Sequence, residues 1–285
     1  MRIIRNIQMA KNIVLKEKIF DFCPPIVMAI INVTPDSFFA ESRCSEAKTI
    51  IQRVENAIND GAKILDIGGY STHPNADFVS EEEELQRICS ALEIIRSKFP
   101  DIPVSIDTFR AKIAETAVNK FDVDIINDIS GGMFDENMLP TMAKINRPYI
   151  LMHNRGTPQN MQQLTDYEDL TADILKYFSE KIEKLRNLGF TSDIIIDLGF
   201  GFGKTTEQNY QLMRELPVFE CFNTPIMAGI SRKSMIYNVL GITPQESLNG
   251  TTVLNTVALL KNVDILRVHD VKEAVQTVML VEKLI

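Results

Sequence analysis

The chain has 285 residues, 45% of them apolar and 24% charged, with 30 basic against 38 acidic side chains and a net charge of −8. That apolar fraction argues against disorder, and a chain this long can bury about three-quarters of its unfolded surface. The acidic balance, with no basic block, argues against a nucleic-acid partner, and no apolar run reaches the ~20 residues that span a bilayer.

Residues 1–25 are basic and interrupted by charges and amides, with no apolar core of a secretion signal, so the expected setting is cytoplasmic and not membrane-bound. They stand outside the repeat that follows and are expected as an N-terminal extension, a small hairpin closing one end of the fold. From residue 26 the chain alternates short β-branched runs with amphipathic stretches. The runs are 26–31 (IVMAII), 62–67 (AKILDI), 102–106 (IPVSI), 123–126 (VDII), 148–152 (PYILM), 193–196 (DIII), 225–228 (PIMA) and 263–268 (VDILRV). Continuous apolar runs suit strands covered on both faces, as parallel strands are. The stretches between them, such as 81–98 and 168–188, have helical periodicity. Eight such units predict a single-domain (β/α)8 TIM barrel over 26–285, with a doubly wound open sheet as the alternative. Cys23, Cys44, Cys89 and Cys221 lie far apart and form no CxxC pair, which reads as reduced thiols.

Nearly every run continues into polar or Gly-rich residues. In a barrel these strand ends share one face, so Asp107, Asn127, Asp197, Lys233 and Arg267 are expected to converge there. The competing reading is that each merely caps the next helix. His73, His153 and His269 all fall in these segments, but their spacing is not that of a zinc site; contact with an anion or a carboxylate suits them better. Gly199-Phe-Gly-Phe-Gly-Lys-Thr205 is one residue too short for a nucleotide phosphate loop. Its glycines suit close approach of backbone to a flat ligand, with Phe200 and Phe202 as packing or stacking surfaces. Arg232, Lys233 and Arg267 end the last two strands, where barrels often hold phosphate. Asp107, Asn127 and Asp197 offer acceptors to a planar heterocycle rich in N–H groups.

At these residues the chain closely resembles the dihydropteroate synthase family of pterin-binding enzymes. The resemblance covers about residues 26–273 in order. Its sharpest pieces are Asn32-Val-Thr-Pro-Asp-Ser-Phe38, Asp197 with Gly199-Phe-Gly-Phe-Gly-Lys204, Ser231-Arg-Lys-Ser234 and Arg267-Val-His269. It implies a transferase of folate biosynthesis that joins 6-hydroxymethyl-7,8-dihydropterin pyrophosphate to 4-aminobenzoate with Mg2+, and a target for sulfonamides. By motif, Asp107, Asn127, Asp197, Lys233, Arg267 and Phe202 would line the pterin pocket. Phe38, Thr72 and Ser234 would meet the aminobenzoate. Asn32, Arg267 and His269 would hold the pyrophosphate, with Asn32 also on the metal. Asp36, Lys233 and Arg267 would act in catalysis, Asp36 by stabilising a carbocation. Segments 32–44 and 68–78 would act as lids, and a homodimer is expected.

Four positions depart from the family pattern, among them Tyr70 in place of Glu and Asn75 in place of Gly. His73 stands where the family carries an Arg, replacing a permanent charge with a group only partly protonated near neutrality, so the second loop is expected to hold its partners less strongly. Leu198 stands where the family carries Pro. The alternatives are a catalytically impaired pterin-binding homologue and a methyltetrahydrofolate–corrinoid methyltransferase. The second has no pyrophosphate to hold, so Arg232-Lys233 and Arg267-Val-His269 tell against it.

Overall fold

The alternation of side chains along each apolar run decides where it packs. A computed structural model describes residues 11–33, 40–70, 79–157 and 160–284. At its start, β1 (Asn12–Leu15) and β2 (Lys18–Asp21) pair antiparallel through a tight turn at Lys16 and Glu17, both at positive φ. A two-residue turn with φ positive at both positions matches the twist of a hairpin.

The eight runs become β3 (Ile26–Asn32), β4 (Ile64–Gly68), β5 (Val104–Asp107), β6 (Ile125–Asp128), β7 (Tyr149–Met152), β8 (Ile194–Asp197), β9 (Ile226–Ala228) and β10 (Ile265–Val268). All pair in parallel in chain order, and β10 returns to pair with β3, with Arg267 opposite Met28. The sheet is therefore a closed barrel, which removes the open-sheet alternative.

Outward side chains such as Val27, Leu65, Ile106, Leu151 and Ile196 pack under the helices. Inward, Met28, Ile64, Ile125, Ile150, Ile195, Met227 and Ile265 meet on the axis. Ile13, Leu15 and Phe22 of the hairpin segment join this cluster, so the hairpin plugs the N-terminal end of the barrel. The next inward position on four of these strands is polar: Asp66 after Ile64, Asn127 after Ile125, Asp197 after Ile195 and Arg267 after Ile265. The barrel thus has an apolar floor and a charged upper layer, and the site lies at the C-terminal ends of the strands.

The helices are α1 (Ala40–Asn59), α2 (Glu81–Lys98), α3 (Ala111–Phe121), α4 (Met138–Ile145), α5 (Leu170–Asn187), α6 (Thr206–Glu215), α7 (Ser234–Leu240), α8 (Leu248–Leu260) and α9 (Val271–Val281). Local chemistry sets their starts. Ser80 caps α2 by accepting from Glu83 N–H, and four glutamates fill that first turn, where the helix dipole favours them. Thr205 and Gln208 close a reciprocal capping box on α6. The 32–44 lid expectation overlaps α1, which begins at Ala40. No helix among the described residues is long and apolar enough to cross a membrane.

Candidate active site

Arg267 lies at the centre of the upper layer, between two carboxylates. Its Nε donates to Asp66 Oδ2 at 2.6 Å and its Nη2 to Asp107 Oδ2 at 2.5 Å. Asn127 Nδ2 donates to the same Asp66 oxygen at 3.0 Å. Asp197, at the end of β8, accepts from Gly199 N–H at 2.8 Å. Lys233 reaches back from the β9–α7 turn and donates to Phe200 O at 2.5 Å, with its ammonium 4.5 Å from the Phe202 ring centre. Gly229 faces the same space: a Cβ there would lie 3.8 Å from Asp197 Oδ2, 3.9 Å from Lys233 Nζ and 4.0 Å from Arg267 Cδ. Asp107, Asn127, Asp197, Lys233 and Arg267 therefore do converge, from β5, β6, β8, the turn after β9, and β10.

Burial tunes these groups. It pushes Asp107 up to about 7, against the pull of the Arg267 guanidinium and with further repulsion from Asp66, Glu84 and Asp128. Burial also raises Asp197, with Lys233 and the Gly199 N–H opposing it. Lys233 is drawn down to about 8 by burial, which Asp197 resists. Burial works against the Arg267 charge too, but Asp66 and Asp107 outweigh it and the guanidinium stays charged. His269 falls to about 4 through burial and the Arg267 charge, so at neutral pH it is a neutral imidazole beside Ser231 Oγ, 3.0 Å away.

The Gly-rich segment after β8 is held from beneath. Lys204 is only 3% exposed, and its ammonium meets Gly199 O at 2.9 Å, Phe202 O at 3.0 Å and His153 Nδ1 at 3.0 Å. Three donors thus have three partners. Gly199 adopts φ +66°, and a Cβ there would lie 2.0 Å from His153 O, so glycine is required. Phe200 packs in the outer core and Phe202 alone of the pair sits at the site. Leu198 is likewise buried in that outer core.

Other expectations meet corrections. Arg232 is not available to a phosphate, because Asp270 holds it through two bonds of 2.9 and 2.6 Å. His153 has no carboxylate partner among the described residues; it points outward against Tyr177 and Phe178 and meets Lys204 through Nδ1. Ser234 opens α7, next to Lys233. Asn32 closes β3 at the rim; its side-chain oxygen would lie 3.5 Å from a Cβ on Gly68, while its main-chain carbonyl accepts from Arg53. Asp36, Phe38, Thr72 and His73 lie outside the described residues. No cluster of three or more His, Cys, Asp or Glu suited to a metal occurs among the described residues.

Asp66 is the residue that sequence reasoning missed. It sits inside the apolar run 62–67 and reads there as a strand residue. The available signal was a lone carboxylate flanked by Leu65 and Ile67, two positions before the Gly68–Gly69 pair.

Residues 28–269 match the family model described as pterin binding enzyme. The dihydropteroate synthase of Synechocystis is 42% identical over 252 residues, 88% of this chain and 86% of that protein. The crystal structure of Yersinia pestis dihydropteroate synthase with a sulfonamide drug superposes with a TM-score of 0.88 at 36% identity, covering 96% of this chain and 98% of that one. A Clostridium difficile dihydropteroate synthase structure, in the presence of pteroic acid, has a TM-score of 0.85 at 35% identity, covering 93% and 98%.

Proposed function

The chain belongs to the pterin-binding enzyme family, and from that premise we propose that its pocket condenses 6-hydroxymethyl-7,8-dihydropterin pyrophosphate with 4-aminobenzoate, giving 7,8-dihydropteroate and pyrophosphate. It is a transferase of folate biosynthesis, a dihydropteroate synthase in activity. The observation that carries this reading is the convergence of the buried Asp197 with Lys233 and Arg267 around Gly229, with Asp107 bonded to that arginine.

A pterin presents N–H donors along one edge and a carbonyl and ring nitrogens along the other. Asp107, Asn127 and Asp197 accept from the first; Lys233 donates to the second. Phe202 and Arg267 bracket the ring. Fixed in this way, the ring's electrons are available to the exocyclic carbon as its bond to the diphosphate lengthens, so a dissociative, cation-like displacement follows. Arg267 and His269 stabilise the charge gathering on the leaving diphosphate, as pre-placed donors do best in a site shielded from water. Neutral 4-aminobenzoate is already a nucleophile and needs no strong base. By motif, Ser234 is assigned to its carboxylate, Phe38 and Thr72 to its pocket, and Asp36 to stabilising the developing cation; the last three lie outside the described residues. The Yersinia relative's complex with a sulfonamide drug supports an aminobenzoate subsite of this kind.

Asn32 supplies an amide oxygen at the rim, a hard donor of the type Mg2+ takes when most of its shell is water and substrate phosphate. One protein oxygen fits an ion carried in on the diphosphate better than a closed protein cage. When bound, the ion would offset diphosphate charge. We also take the protein to be a cytoplasmic homodimer.

The test is pyrophosphate release from the pterin pyrophosphate with Mg2+, with and without 4-aminobenzoate. Release that rises with 4-aminobenzoate and yields dihydropteroate is expected. Binding of the pterin with no such release would instead identify a non-catalytic homologue.

A further inference from the structure

Asp66 makes no contact assigned to substrate in the reading above, yet it is the most enclosed charge of the upper layer, with no exposed surface. Register places it one inward layer deeper than Asp107: Asp66 pairs with Ser105, and Gly68 with Asp107. Its Oδ2 accepts from Arg267 on β10 and from Asn127 on β6, so one oxygen ties three strands together. Both donors are side chains that the proposed function places on the pterin. Its Oδ1 has no partner among the described residues, nor does the neighbouring Ser105 Oγ.

Arg267 therefore has two anionic partners of different kinds. Asp66 lies beneath it, shut off from solvent. Asp107 lies at the mouth of the strand end, where a pterin N–H must also be accepted. If Asp107 were the only partner, the guanidinium would draw its carboxylate away from substrate, because a charge-assisted bidentate pairing outcompetes a neutral N–H donor. We propose that Asp66 is a positioning residue for the reaction: it anchors Arg267 by Nε and Asn127 by Nδ2, and so limits Arg267 to one bond on a single oxygen of Asp107, whose remaining acceptor capacity serves the pterin. The inference rests on the reading that a pterin occupies this pocket.

The effect has an electrostatic signature. The groups facing Asp107 are Arg267 from β10, Asp66 from β4, Glu84 from α2, Asp128 from β6, and Lys233 from the turn before α7. Asp66→Asn keeps the shape but removes one repelling charge, and it leaves Arg267 to Asp107 alone. Both changes make Asp107 easier to ionise.

Binding of 6-hydroxymethyl-7,8-dihydropterin is measured by titration calorimetry across pH in the unaltered protein and in Asp66→Asn. The variant is expected to bind about tenfold or more weakly near neutrality, in line with the loss of a hydrogen bond to a charged group. The pH below which binding fails is expected to move down. Equal affinity in the two proteins overturns the inference. So does weaker binding at every pH with no displacement of the acid limb, which would mark a merely structural role. If the unaltered protein does not bind the pterin, the pocket reading itself fails. A second measurement needs no Asp66 variant. In protein labelled with 15N-arginine, the Arg267 Nε–H resonance, assigned through Arg267→Lys, should resist solvent exchange both free and pterin-bound. Loss of that protection on binding overturns the proposal.

Discussion

Burial pulls Lys233 and Asp107 toward each other on the pH scale, the amine down to about 8 and the carboxyl up to about 7. The proposed pterin contacts call for each in its charged form, Asp107 to accept and Lys233 to donate. As pH falls through about 7, Asp107 gains a proton and loses its acceptor role toward one N–H. As pH rises through about 8, Lys233 loses its proton and part of its donor strength. Pterin affinity is therefore expected to peak between these values and decline on both sides, a bell set by two opposed groups. Calorimetric titration checks it, and Asp107→Asn should remove the acid limb while keeping the alkaline one; a flat profile from pH ~5.5 to ~9.5 would refute the assignment. Much at this scale was legible in the sequence, because Asp107, Asn127, Asp197 and Arg267 each stand last or next to last in a strand and so show as polar residues after apolar ones. Asp66 was not, since it lies within such a run and only inward alternation reveals its role. Nor was the sequestering of Arg232 by Asp270, a contact across 38 residues that no local pattern signals.

Between residue 198 and α6 the chain has no regular hydrogen-bonding ladder, so its shape depends on side chains brought from elsewhere. Lys204 satisfies two carbonyls of this segment and ties it to His153 at the end of β7. The same segment presents Phe200 O to Lys233. Lys204→Met keeps the apolar stem but takes the donor from Phe202 O and His153 Nδ1 and leaves Gly199 O with only its bond from Phe202 N–H. It should cost about 2–4 kcal/mol of stability, as breaking a buried charged hydrogen-bond network does. Denaturant unfolding reads that loss, and pterin titration should show weaker binding in the same variant, because Lys233 loses its support. Unchanged stability would mean that water replaces the ammonium at no cost. The strands themselves were legible, since eight apolar runs bounded by turns and helical stretches leave little choice of period. Segments such as this one were not: glycine spacing indicates a close approach, but it does not say which buried cation directs it. The packing of Ile13, Leu15 and Phe22 onto the barrel axis came from the structure.

Across the whole molecule, apolar side chains remain outside on two neighbouring helices. Val253 on α8 is 53% exposed, and Met279 and Leu280 on α9 are 59% and 69% exposed. The proposed dimer would cover such side chains, and closed twofold pairing is the commonest arrangement for doing so. Sedimentation velocity should find a species of twice the 32.2 kDa chain mass, and Leu280→Glu should halve it. A single 32.2 kDa species from the unaltered protein would end the dimer reading. The eightfold repeat pointed to a barrel, but a repeat alone is equally compatible with an open sheet. Closure depends on β10 meeting β3, a pairing between the two ends of the repeat that only three-dimensional structure displays.

That closure also orders events in time. Arg267 and Asp66 are 201 residues apart in the chain, and β10 is the last strand made. Long-range pairings of this kind carry the largest loop-closure cost and form late. Until β10 docks, Asp66 and Asp107 are two carboxylates on neighbouring strands with no cation between them, so a growing chain assembles its scaffold before it owns a pocket. Substrate affinity is then a property of the closed barrel alone, and its appearance would report the docking of β10.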